Sequence, residues 1–180
     1  MMVSRSLVLV LLPVGILVHG CGLLFPPLEV VESVDLSRYA GTWYEIASYP
    51  APFQAGCTGT TAEYTLQDDG TVKVVNTCYS GSLDGPVQQI EGAARVPDPA
   101  TPAKLKVTFF APFEADYWII DLGPDYEYAV VGVPSRLFLW ILSRSPTLDE
   151  ATYQEILDRL PEKGFDPARL VRTVQTDQSG

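Results

Sequence analysis

The chain has 180 residues, one domain's worth, and 47% of them are hydrophobic, enough to fill a core and to set disorder aside. Its net charge is −10, and an acidic body repels phosphate backbones, which argues against a nucleic-acid partner. The same charge argues against adhesion of the folded body to anionic lipid, so any membrane attachment needs another means.

The N-terminus supplies one. Arg5 is the only cationic side chain in the first 37 residues, and an apolar run from Leu7 to Val18 follows it. That run is too short for a bilayer core of about 30 Å, which needs about 20 helical residues. A signal peptide over residues 1–20 fits it better. The string Leu17-Val18-His19-Gly20-Cys21 resembles a bacterial lipobox, in which a small residue precedes a cysteine that becomes lipid-modified. The alternative is an ordinary secretory signal with a chance cysteine. Acyl chains on Cys21 would hold the protein stably, since each buried CH₂ contributes ~0.8 kcal/mol. Gly22 carries no acidic retention mark, which by the same resemblance sends the lipoprotein to the outer membrane, its barrel facing the periplasm. Loss of the leader leaves 11 basic against 22 acidic residues. Residues 21–33, with Pro26 and Pro27, then read as an extended tether.

The segment Val34 to Tyr39 predicts a short helical turn that plugs one end of a barrel spanning residues 34–176. Gly41 to Ala47, with Trp43 and Tyr44 among alternating polar residues, predicts the first strand. An apolar loop, Pro50 to Ala55, follows it. Thr58 to Leu66, the turn Asp68-Asp69-Gly70 and Val72 to Cys78 form the clearest hairpin in the chain. Polar residues fix its register, with Leu66 opposite Val72 and Thr60 opposite Cys78, and turn Tyr64, Val74 and Asn76 inward.

Four further regions carry strands: Gln88 to Val96, Lys104 to Phe110, Tyr117 to Leu122 and Tyr126 to Val133. A last one, Phe138 to Ser143, completes eight. Alternation turns Phe109, Trp118, Tyr128 and Trp140 inward, the placements of Trp118 and Tyr128 being set by Asp121 and Glu127 facing water. Only then does the period change. Thr147 and Glu150 form a capping box, and Tyr153, Ile156, Leu157 and Leu160 make one apolar stripe of a helix for the barrel's outside. Leu170 to Val174 is a short final strand. The predicted class is all-β: an eight-stranded antiparallel up-and-down barrel with one C-terminal helix packed outside it.

The chain has three cysteines, and lipid on Cys21 leaves Cys57 and Cys78. An oxidising compartment favours a disulfide between them, and the hairpin register brings them near each other; the alternative is two free buried thiols.

Gly41-x-Trp43 resembles the first lipocalin motif, Asp125-Tyr126 the second, and Arg144 the arginine of the third. The second departs from its usual form, with Pro124 where a threonine is customary. The resemblance covers about Val34 to Gln175, and the longer strings Gly41 to Ala47 and Leu139 to Arg144 are similar to the bacterial membrane-anchored members of that family. It implies that Gly41, Trp43, Asp125, Tyr126 and Arg144 are fold determinants, with Trp43 closing the base and Arg144 over its indole.

The resemblance also implies transport or storage of a small hydrophobic ligand, here a fatty acid or lysophospholipid, by a monomer or homodimer. Glu45, Tyr64, Asn76, Phe109, Trp118, Tyr128 and Trp140 are the expected cavity residues. Exposed Phe53 and Phe113 either meet membrane or ligand, or fold over the rim. An enzyme is disfavoured: the sole histidine, His19, leaves with the signal, so no Ser-His-Asp or Cys-His pair remains. Two cysteines without histidine make a poor zinc site, and no cofactor is expected. A cavity-cysteine isomerase is the catalytic alternative, which a disulfide would rule out, and a structural lipoprotein without a ligand is the third class.

Overall fold

The computed structural model describes residues 25–175. The expected signal peptide, His19 and the Cys21 anchor lie outside the described residues. A turn of helix, α1 (Leu36–Tyr39), is capped by the Asp35 carboxylate, which accepts from the Ser37 and Arg38 amides. Eight strands follow: β1 (Gly41–Ser48), β2 (Cys57–Leu66), β3 (Val72–Ser80), β4 (Val87–Arg95), β5 (Lys104–Phe110), β6 (Phe113–Leu122), β7 (Tyr128–Gly132) and β8 (Leu139–Ser143). Each pairs antiparallel with the next, and β1 pairs with both β8 and β2, which closes the barrel. Helix α2 (Glu150–Arg159) and a two-residue strand, β9 (Val171–Arg172), complete the chain.

The β2–β3 hairpin holds the expected register from Leu66 opposite Val72 to Thr61 opposite Thr77, then shifts between Thr58 and Thr61. Strand β9 takes the edge of β1 that β2 leaves: Ala47 and Ser48 face Arg172 and Val171. Farther on, the Gln175 amide donates to the carbonyls of Glu45 and Thr60, each at 2.8 Å, so the end of the described chain seals the seam between β1 and β2.

Helix α2 starts two residues later than the capping box, with Thr147 as its cap, predicts. Its N-cap is Asp149, whose carboxylate accepts from the Thr152 amide. Both residues were available as caps, and Asp149 sits directly before the first helical residue, where its oxygen reaches the third amide.

The wall is apolar on both faces over β6, β7 and β8. Inside, Trp43, Tyr64, Val74, Leu105, Ile119 and Val131 belong to one cluster. Outside, Ile46, Tyr49, Ile120, Val130, Leu139 and Ile141 meet Tyr153 and Ile156 from α2 and Leu160 at its C-cap. Each such buried side chain contributes roughly 1.5–3 kcal/mol. The two faces are distributed by bulges. The β6–β7 register shifts between Ile119 and Asp121, and the β1–β8 register between Glu45 and Ala47. A bulge puts consecutive residues on one face.

Residues 25–33 run up the outside of this wall. The Val31 amide donates to Ile119 O at 3.0 Å, Leu28 is buried, and Pro26 O accepts from Arg136 at 2.7 Å. From Phe25 onward the expected tether is therefore a strap bound to the barrel.

Candidate functional site

The two ends of the barrel differ. At the base, Trp43 is fully buried and its indole N–H donates to Tyr39 O at 2.8 Å. The Arg144 guanidinium lies 3.9 Å from the indole centroid and donates to the carbonyls of Arg38, Tyr39, Thr42 and Tyr126. One side chain thus ties β8 to α1, to β1 and to the β6–β7 turn. Gly41 has a φ of +97°, and a Cβ there would stand 3.3 Å from Arg144. Tyr126, also at positive φ, accepts the Asp35 amide on its hydroxyl and carries the Arg38 guanidinium over its ring. Asp125 holds the same turn, its amide donating to the Glu127 carboxylate. Gly41, Trp43, Asp125, Tyr126 and Arg144 all sit at this closed end.

Above the plug lies a cavity of about 590 Å³. Five of the seven expected residues line it: Glu45, Tyr64, Asn76, Phe109 and Trp140. Trp118 and Tyr128 do not. Both belong to the outer cluster. Trp118 faces Lys104, whose ammonium lies 4.6 Å from the ring. Tyr128 accepts from Arg159 of α2 at 3.1 Å.

The physical reason differs in the two cases. In β6 the bulge keeps Ile120 and Asp121 on the same outer face, so counting back from Asp121 inverts every earlier residue. In β7 the count began at Glu127, which belongs to the turn and not to the ladder, and the outer face is covered by protein rather than water. Val130 goes outward for the same reason.

Polar groups enter the cavity at two levels. Deep inside, Tyr117 sits between Tyr39 and Tyr64, with O···O separations of 2.7 and 2.9 Å. Burial raises all three phenols, Tyr64 to about 12 and the other two well above the ordinary value, so this hydroxyl cluster on the cavity floor is uncharged at neutral pH. Tyr39 and Tyr117 escaped the sequence count. Tyr117 precedes Trp118 in β6, and the bulge that turns Trp118 outward turns Tyr117 inward.

Higher up, Glu45 is buried and accepts from Ser48, Gln54 and Thr173 hydroxyl or amide groups. Gln54 in turn accepts from the Trp140 indole at 3.0 Å. Among the described residues the lining carries two carboxylates, Glu45 and Asp116, and neither Lys nor Arg. Asp116 is paired with Lys106 on the wall. Gln54 was not predicted, since it reaches in from the loop after β1.

Cys57 and Cys78 line the cavity and are joined in a disulfide across 21 residues. It ties the start of β2 to the end of β3 and leaves neither thiol free. A cavity-cysteine reaction has no nucleophile here.

A lipocalin-like domain matches residues 34–175 of the chain. The outer membrane lipoprotein Blc of Escherichia coli K12 is 42% identical over 161 residues, covering 88% of this chain and 90% of that protein. The temperature-induced lipocalin-1 of Arabidopsis thaliana is also 42% identical, over 159 residues, covering 83% and 84%. Among solved structures, insecticyanin from the tobacco hornworm Manduca sexta superposes with a TM-score of 0.67 at 24% identity, covering 85% of this chain and 87% of that one. That likeness concerns the fold.

Proposed function

The chain belongs to the lipocalin family, and from that premise we propose that it is a membrane-anchored carrier of single-chain lipids, with a zwitterionic lysophospholipid as the preferred cargo. The family binds small hydrophobic ligands, and the apolar cavity has the size of such a site. The charge of the lining carries the choice among lipids. With Glu45 in the lining, Asp116 already paired with Lys106 and no cation among the described lining residues, a fatty-acid carboxylate finds only repulsion or neutral donors. A lysophospholipid offers an ammonium to Glu45, while its phosphate lies toward solvent and its acyl chain takes the space among Val74, Leu105 and Phe109. The Trp140–Gln54–Glu45 chain of hydrogen bonds holds the carboxylate in place for that contact.

The remaining parts of the reading follow from the sequence. Residues 1–20 act as a lipoprotein signal, and Cys21 carries the acyl chains. Escherichia coli Blc bears the name outer membrane lipoprotein, which supports the outer membrane as the location. Binding and release, without bond-making, is the activity.

Equilibrium binding of oleate and of oleoyl lysophosphatidylethanolamine to delipidated protein tests this. The lysophospholipid should bind at least tenfold more tightly, and Glu45→Gln should narrow the gap. Tighter oleate binding would reverse the cargo assignment, and failure of both lipids to bind would end the carrier reading.

A further inference from the structure

The strands order the surface of the barrel into two ends. The loops spanning 49–56, 81–86, 111–112 and 133–138 surround the open one. The five most exposed large apolar side chains of the described residues all stand on or beside these loops: Phe53, Val87, Phe110, Phe113 and Leu137, between 58% and 76% exposed. Phe53 and Phe110 also line the cavity, so the apolar rim runs without a break into the lining. The outward positions of the strands show no comparable face.

We propose that this rim docks on a lipid bilayer, mouth toward the membrane, so that cargo passes between bilayer and cavity without crossing water. The proposal rests on the anchored, lipid-binding reading above. Three observations fix the occupant and the orientation. First, the rim is apolar and almost uncharged. The four loops carry two charged side chains; Arg136 is buried and Asp84 alone is exposed. Phenylalanines in such a setting enter the boundary between headgroups and acyl chains.

Second, the opposite end is acidic. Asp68, Asp69, Asp98, Asp125 and Glu127 are exposed on the turns at the base. An anionic leaflet repels that end and leaves the mouth to face it.

Third, the strap brings Phe25, the first described residue, to the mouth. It begins in the inner core at Val34, passes Ile119, and reaches the 133–138 loop, where Arg136 donates to Pro26 O and lies 5.4 Å from the Phe25 ring. Cys21 precedes Phe25 by four residues, which span at most about 14 Å when fully extended. Acyl chains on Cys21 therefore hold the open end close to the bilayer.

The test uses the acylated protein reconstituted in vesicles of phosphatidylethanolamine and phosphatidylglycerol. A bimane label goes at the mouth (Ser82→Cys) or at the base (Gln67→Cys), and headgroup-brominated lipid is the quencher. The mouth label should be quenched at least fivefold more than the base label; equal quenching, or a preference for the base, overturns the proposal. A chain that proves unacylated is added to the same vesicles from solution and read the same way.

In parallel, Val87→Ser/Phe113→Ser/Leu137→Ser, none of which lines the cavity, should slow transfer of a fluorescent lysophospholipid out of vesicles at least tenfold. Its affinity in solution should be unchanged. An unaltered transfer rate would sink direct transfer. Quenching needs no cargo, so a mouth that docks on vesicles while the protein takes up no lipid counts against the carrier function alone.

Discussion

The closed end and the open end of this barrel are built from similar residues to opposite effect. At the base, aromatic rings and a guanidinium satisfy one another completely: Trp43 is sealed beneath Arg144, and Tyr39, Tyr64 and Tyr117 share their hydroxyls. At the mouth, Phe53, Phe110 and Phe113 stand in the open. The difference teaches that aromatic content alone does not mark a binding site. What separates plug from rim is whether each ring's polar and apolar partners are supplied from within the chain.

The base should accordingly govern stability and the mouth should not. Trp43→Ala removes the largest fully buried side chain, leaves Tyr39 O without its indole donor and strips Arg144 of the ring beneath it. Truncations of this kind cost about 3–5 kcal/mol. Urea unfolding should show a loss of that size, against less than about 0.5 kcal/mol for Phe113→Ser at the rim. Comparable losses at both sites would erase the distinction.

A smaller effect sharpens the same contrast through pH. The phenols of Tyr39, Tyr64 and Tyr117 are raised by burial, Tyr64 to about 12, above an unfolded value near 10. A raised folded value means that the contribution is whole below pH 10 and is lost as pH climbs through the folded value. For Tyr64 a shift of that size is about 2–3 kcal/mol between pH 10 and 12. The urea midpoint should fall across that window, and Tyr64→Phe should flatten the fall. A midpoint that holds level to pH 12 would show that these phenols ionise without disturbing the fold.

The sequence is informative where one face of an element meets water and uninformative where neither does. The β2–β3 hairpin has charged or hydroxylated residues outside, and its register from Leu66–Val72 onward follows from alternation. The base is legible for another reason, since Gly41, Trp43 and Arg144 occupy fixed places at strand ends. Strand β7 is buried on both faces over all five residues, so no residue within it reveals its parity. The bulge near Ile120 is a backbone event with no residue signature, and it reversed the reading of β6 upstream of it. Contacts made by loops, such as Gln54 to Glu45, have no periodicity from which to be read.

One misplaced tryptophan and one that lines the cavity as expected supply the finest discrimination. Trp118 and Trp140 are both large, both half-buried and both in strands, yet one lies on the outer wall beside Lys104 and the other lines the cavity beside Gln54. Fluorescent lysophospholipid titrated into Trp118→Ala should bind within twofold of the unaltered protein, whereas Trp140→Ala should weaken it about tenfold, or about 1.4 kcal/mol. Folded protein is assured in each case by the thermal transition. Equal losses from the two variants would mean that lipid contacts the outer wall near the strap. The 590 Å³ cavity would then not be where the cargo resides.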